Sequence, residues 1–204
     1  MKKNICIDID GTLTDPYFFV PYLNEITGIN LTNEEYISND WTITYGPEFE
    51  EEYKNFDENH SELYLTAEML PNSRKVVKKL EENNNVYIVT ARDKEIENIT
   101  LKWLEKNEID SISVYSLNGN ADKVSMAKKL HADIFIEDDP NNLINLFMAG
   151  FEIIIMDTHY NRGIEEDIKN KIGKDGYDKE RHRIHRIKDW YGVEEFFRDR
   201  KIIK

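Results

Sequence analysis

The chain has 204 residues, 40% hydrophobic and 33% charged, and its 40 acidic residues outnumber 27 lysines and arginines to give a net charge of −13. That length supports a real core, and that composition belongs to a globular chain rather than a disordered one. The acidic excess excludes non-specific attraction to a nucleic acid polymer or an anionic membrane, and no apolar run approaches the roughly 20 residues of a bilayer span.

No long apolar stretch follows Met1-Lys2-Lys3, so no secretory signal is expected. Asn4 to Ile9 predicts a first strand. Within it Cys6, the single cysteine, reads as a small buried hydrophobe, and a reducing cytoplasm is the expected compartment. The strand runs into Asp8-Ile9-Asp10-Gly11-Thr12. Residues two apart in an extended chain point the same way, so both carboxylates are expected to face one place. Gly11 permits a sharp exit. From about residue 16 to 70 the rhythm turns helical and aromatic, which predicts a small helical insertion. Phe18, Phe19, Tyr22 and Trp41 read first as the insertion's own core, although aromatic faces also suit a nucleobase. Glu48 to Glu52 reads as a solvated helix face.

Beyond the insertion, helices and strands alternate. Helices are predicted over Pro71 to Glu82, Asp93 to Lys106, Asp122 to Leu130 and Asn141 to Ala149. Strands are predicted over Val86 to Val89, Ile112 to Tyr115, Asp133 to Ile136 and Phe151 to Met156. A polar loop from Asp157, a short strand near Arg183 to Ile187 and a helix from about Asp189 to Arg198 complete the chain. The alternation predicts an α/β fold with a doubly wound parallel sheet, residues 1–15 and 71–204 forming the core and 16–70 a cap.

Such sheets bind ligands beyond the carboxyl ends of their strands. Four segments are expected at that rim: Asp8 and Asp10, Thr90-Ala91-Arg92, Lys123, and Glu137-Asp138-Asp139-Pro140. Side-by-side carboxylates repel unless a cation intervenes, and Mg²⁺ prefers such oxygen ligands. A bound cation also reconciles the acidic chain with a small anionic substrate. One carboxylate can act as nucleophile and a second as general acid and base, while a hydroxyl and an ammonium stabilise phosphoryl charge. The set points to metal-assisted phosphoryl transfer.

These segments resemble the haloacid dehalogenase (HAD) superfamily, whose DxDGT signature is present as Asp8-Ile9-Asp10-Gly11-Thr12. Val89-Thr90-Ala91-Arg92, Lys123 and Glu137-Asp138-Asp139-Pro140 are similar to its other three motifs, in order. The resemblance implies an HAD-like Rossmannoid core with Asp8 as nucleophile and Asp10 as general acid/base. It implies phosphate binding by Thr90, Ala91 and Lys123, and Mg²⁺ held by the Asp8 carboxylate, the Asp10 carbonyl and Asp138, preferred over Asp139.

Within the superfamily the chain looks most like the 5′(3′)-deoxyribonucleotidases and their bacterial relatives. Asp40-Trp41-Thr42 before Tyr45-Gly46, and His159-Tyr160-Asn161-Arg162 with a later Trp190, carry that likeness. Asp40 stands where the family has an aromatic residue, and its early aromatic is replaced around Pro16. The implied activity is Mg²⁺-dependent hydrolysis of a small phosphorylated metabolite, a nucleoside 5′-monophosphate, through an aspartyl-phosphate. Phe18, Trp41 and Arg92 are the candidate substrate contacts, with a salt bridge as the alternative for Arg92 and Arg162. A sugar phosphate substrate, or transfer to another alcohol, uses the same site. A non-catalytic scaffold would lack Asp8, Asp10, Thr90 or Lys123, and all four are present. Neither a nucleic acid polymer nor a membrane is an expected partner, and a homodimer is left open. The five histidines show no metal-ligand spacing with a cysteine and read as surface groups.

Overall fold

A computed structural model that describes residues 2–118 and 122–204 resolves the alternation into six strands. They are β1 (Asn4–Ile7), β2 (Asn85–Thr90), β3 (Ser113–Ser116), β4 (Ile134–Glu137), β5 (Glu152–Met156) and β6 (Ile184–Ile187). All pair in parallel, in the order β3-β2-β1-β4-β5-β6. The order switches direction between β1 and β4, where a sheet of this type opens its ligand crevice.

Side-chain alternation sorts the strands into two cores. Ile5 and Ile7 of β1, Ile88 of β2, Ile134 and Ile136 of β4 and Ile154 of β5 pack on one face. There they meet Val76, Val77 and Leu80 of α5 (Ser73–Asn83), Trp103 and Leu104 of α6 (Glu97–Lys106), and Trp190, Val193 and Phe197 of α10 (Trp190–Asp199). Cys6, Val89, Phe135, Ile153 and Ile155 point the opposite way. They meet Ala127 of α7 (Lys123–Lys129), Leu143, Leu146 and Phe147 of α8 (Pro140–Met148), and Ile164 and Ile168 of α9 (Ile164–Glu180). The apolar strand runs in the sequence are thus strands covered on both faces. Among the described residues, no helix is long and apolar enough to cross a membrane.

Two expectations need correction. β1 stops at Ile7, not Ile9. The Asp8 N–H still joins the ladder, donating to Ile136 at 3.0 Å, but the Ile9 carbonyl turns inward and accepts from Leu13 at 2.8 Å and Thr14 at 3.0 Å. The stretch after Asp157, expected as a polar loop, contains α9, which is kinked at Gly173. Its buried face is a single narrow row, Ile164, Ile168 and Ile172, and charged residues and two glycines hide that period.

Between Val20 and Leu65 lie four helices, α1 (Val20–Thr27), α2 (Trp41–Thr44), α3 (Glu50–Lys54) and α4 (Phe56–His60), and two 3₁₀ turns. Their centre is aromatic: the Phe56 ring lies 5.4 Å from Phe19 and 4.9 Å from Trp41, both edge-on. Where the segment leaves and rejoins the core, Thr14 bridges Met69 antiparallel and the Leu70 N–H donates to Leu13 at 2.7 Å.

Candidate active site

The crevice beyond β1 and β4 holds three buried carboxylates, Asp8, Glu137 and Asp138, each offering an oxygen within 4.8 Å of the others. One ammonium is shared between two of them. Lys123, the first residue of α7 and itself buried, donates to Asp8 Oδ1 at 2.7 Å and Glu137 Oε2 at 2.6 Å. Burial alone would lower the Lys123 pKa, but Asp8 and Glu137 together hold it above its ordinary value. Asp8 is raised by burial against the opposing pull of Lys123. Asp138 is pushed up to about 8 by burial and by the Asp8 charge. Three acids against one ammonium leave the cluster short of positive charge.

That shortage suits a divalent cation with oxygen ligands. Glu137 is already engaged, since Oε2 takes Lys123 and Oε1 accepts the N–H groups of Asp138 at 3.3 Å and Asp139 at 3.1 Å. Asp8 and Asp138 remain the side chains with oxygen lone pairs to offer. Asp138 is fixed by its neighbours: Thr12 Oγ1 donates to Oδ1 at 2.7 Å, the Tyr160 hydroxyl donates to Oδ2, and Asn161 donates to its carbonyl at 2.9 Å. Gly11 makes room for this carboxylate. A Cβ there would lie 2.2 Å from Asp138 Oδ2, and its φ of +82° is in any case glycine territory. Asp139 instead caps α8, accepting from the Asn142 N–H at 2.7 Å, and also accepts from Asn39.

Asp10 reaches the same crevice by the turn after β1 rather than by strand alternation. Its two oxygens accept from Nε and Nη2 of Arg92, each at 2.8 Å. Thr90 ends β2 and is buried, its hydroxyl accepting from the Arg92 N–H at 3.2 Å. No helix begins directly there: a 3₁₀ turn over Lys94–Ile96, capped by Asp93, precedes α6.

A cavity of about 260 Å³ joins these groups. Asp8, Asp10, Thr90, Ala91, Lys123 and Asp138 line its core side, and Phe19, Tyr36, Asn39 and Trp41 its cap side. Phe18 is not among its lining residues; the adjacent Phe19 takes that place. Arg92 is not among them either, and borders a second cleft, which shares Asp10, Ala91 and Trp41 with the first. Arg162 is exposed.

Several roles escaped the sequence reading, although it named the residues that fill them. Glu137 orients Lys123, while Tyr160 and Asn161 orient Asp138 from a polar 3₁₀ turn that has no periodicity to betray it. Two histidines are half-buried pair partners rather than plain surface groups. His60 bridges Tyr22 and Glu52, and His185 meets Glu152 at 2.7 Å.

A sequence-family profile described as 5′ nucleotidase, deoxy (pyrimidine), cytosolic type C protein matches residues 2–181. A protein named nucleotidase from Clostridium acetobutylicum is 36% identical over 166 residues, 79% of this chain and 83% of its own length. A relative from Halalkalibacterium halodurans is 32% identical over 162 residues, with the same two coverages. In fold, the chain is similar to an HAD family hydrolase from Deinococcus radiodurans R1 that was crystallised with bound phosphate and sodium. That match has a TM-score of 0.66 at 10% identity and covers 100% of this chain and 98% of the other.

Proposed function

The chain belongs to the family described as 5′ nucleotidase, deoxy (pyrimidine), cytosolic type C, with the fold of HAD hydrolases, and on that premise we propose that it hydrolyses a nucleoside 5′-monophosphate with Mg²⁺ as cofactor. The observation that carries this reading is the buried cluster of Asp8, Asp138 and Glu137 around Lys123, three carboxylates against one ammonium and so formally two positive charges short, opening on a cavity with aromatic residues on its cap side.

In the proposed mechanism Asp8 is the nucleophile. Lys123 holds Oδ1 at 2.7 Å, which leaves Oδ2 to attack phosphorus. The new bond makes an aspartyl-phosphate while the ester P–O bond breaks. Asp10, carrying a proton on an oxygen lone pair that Arg92 does not occupy, gives it to the departing alcohol and takes one from the water that then cleaves the acyl phosphate. The Thr90 hydroxyl, the Ala91 N–H and Lys123 face the transferring oxygens. Asp8, Asp138 and the Asp10 carbonyl would hold the cation, which when bound supplies positive charge to the phosphoryl oxygens.

The nucleoside preference rests on the cap side. Trp41 and Phe19 line the cavity edge-on to each other with centroids 5.8 Å apart, and such rings suit a planar base. The test is phosphate release from nucleoside 5′-monophosphates and from sugar phosphates, with and without Mg²⁺, using Asp8→Asn as control. Mg²⁺-dependent release from nucleotides, abolished in Asp8→Asn, is expected. Wild-type turnover by Asp8→Asn removes the nucleophile, and a preference for sugar phosphates removes the substrate class.

A further inference from the structure

We infer that Arg92 is a positioning residue that fixes the carboxylate plane of Asp10 and acts on the reaction through that aspartate alone, an inference that rests on the hydrolase reading above. A carboxylate in a turn can rotate about two side-chain torsions. Asp10 is held at both oxygens by the planar fork of one guanidinium, at 2.8 Å each, and among the described residues no other side chain hydrogen-bonds to it.

The fork is itself immobilised. Its carbon lies 4.3 Å from the Tyr64 ring centroid, on the cap, and 5.5 Å from that of Trp103 on α6. Tyr64 is locked in turn, its hydroxyl donating to Asp57 Oδ1 at 2.6 Å, and Trp103 Nε1 donates to the Ala67 carbonyl at 2.8 Å. Cap and core therefore hold the guanidinium jointly.

Burial separates this role from substrate contact. The Arg92 side chain is 1% exposed, against 29% for Asp10. Arg92 borders the second cleft but offers it almost no surface, while Asp10 faces both clefts. Desolvating a guanidinium is a costly way to fill space. Among the described residues Asp10 is its single ion-pair partner. A desolvated cation spent on one half-open carboxylate at a reaction crevice is suited to orienting that group for proton transfer.

The test compares two esters by kcat/KM, which covers the steps up to departure of the alcohol. A nucleoside leaving group needs the proton of Asp10, whereas p-nitrophenolate leaves without it. For Arg92→Lys and Arg92→Met, kcat/KM on a nucleoside 5′-monophosphate is expected to fall about 10²-fold, the range of general acid catalysis, with a far smaller fall on p-nitrophenyl phosphate. In an Asp10→Asn background the same substitutions are expected to change neither value further. Arg92→Lys keeps the charge and most of the stem, and carries the test alone if Arg92→Met does not fold. Equal losses on both esters, no loss on either, or a further loss in Asp10→Asn would overturn the inference while leaving the hydrolase reading intact. A wild-type protein inactive on both esters would overturn both.

Discussion

The phenol of Tyr160 donates to Oδ2 of Asp138, so a side chain from the turn after β5 holds the acid that follows β4. Burial and the Asp138 charge keep that phenol well above its ordinary pKa, hence a donor at every working pH. Groups that orient a metal ligand typically affect affinity by about 10–100-fold. Tyr160→Phe is therefore expected to raise the Mg²⁺ concentration for half-maximal phosphatase activity at least about tenfold. A Mg²⁺ titration of the two proteins checks it, and coincident curves would leave the phenol without a role.

Gly11→Ala is expected to damage both stability and cation response. The methyl would overlap Asp138 at a backbone angle that disfavours side chains, costing more than about 1 kcal/mol. Thermal unfolding should show a lower midpoint, and Mg²⁺ should restore less of it than in wild type. An unshifted midpoint would mean that the turn relaxes freely.

Trp190 reaches from α10 to the same turn, its Nε1 donating to the Thr12 carbonyl at 2.8 Å with the ring fully buried. Trp190→Phe leaves that carbonyl unpaired and opens a space. A loss of about 1–3 kcal/mol for the orphaned acceptor is expected in urea unfolding. A smaller effect would show that Thr12 finds another donor.

Glu194 on α10 accepts from Lys79 at 2.6 Å, Asn72 at 2.9 Å, Lys75 at 3.2 Å and Arg198 at 2.9 Å. The Lys79 and Asn72 hydrogen bonds lead in lowering its pKa from an ordinary 4.5 to about 2. A carboxyl depressed in the folded state stabilises it above its unfolded pKa, and that contribution is lost as pH falls towards about 2. Glu194→Gln should therefore lower the melting temperature at pH 7, and the gap from wild type should shrink between pH 4.5 and 2. A gap independent of pH would assign the effect to packing.

The core was legible because its strands are covered on both faces, so Ile5 to Ile7 or Ile134 to Ile136 appear as uninterrupted apolar runs. The acids that end those runs stand out by contrast. The crevice groups Asp8, Asp10, Thr90, Lys123 and Asp138 could therefore be picked from local sequence, and the structure brings them around one cavity. What stayed hidden depends on distance or on phase. Tyr160 meets Asp138 across 22 positions and Arg92 meets Asp10 across 82, and neither pairing leaves a trace in local pattern. Phe18 and Phe19 precede α1 in a turn, where no helical phase decides which ring faces the cavity. α9 escaped because one apolar row among charges is too faint a stripe.

The antiparallel bridge between Thr14 and Met69 gives the molecule a neck. The chain threaded through it leaves and rejoins the core at one spot, and it touches the core again through Asn39 on Asp139 and Tyr64 against Arg92. Chain length in such an excursion raises the closure cost only logarithmically. An excursion of another length closes here at little cost, provided that it brings its own face to Arg92 and its own wall to the cavity.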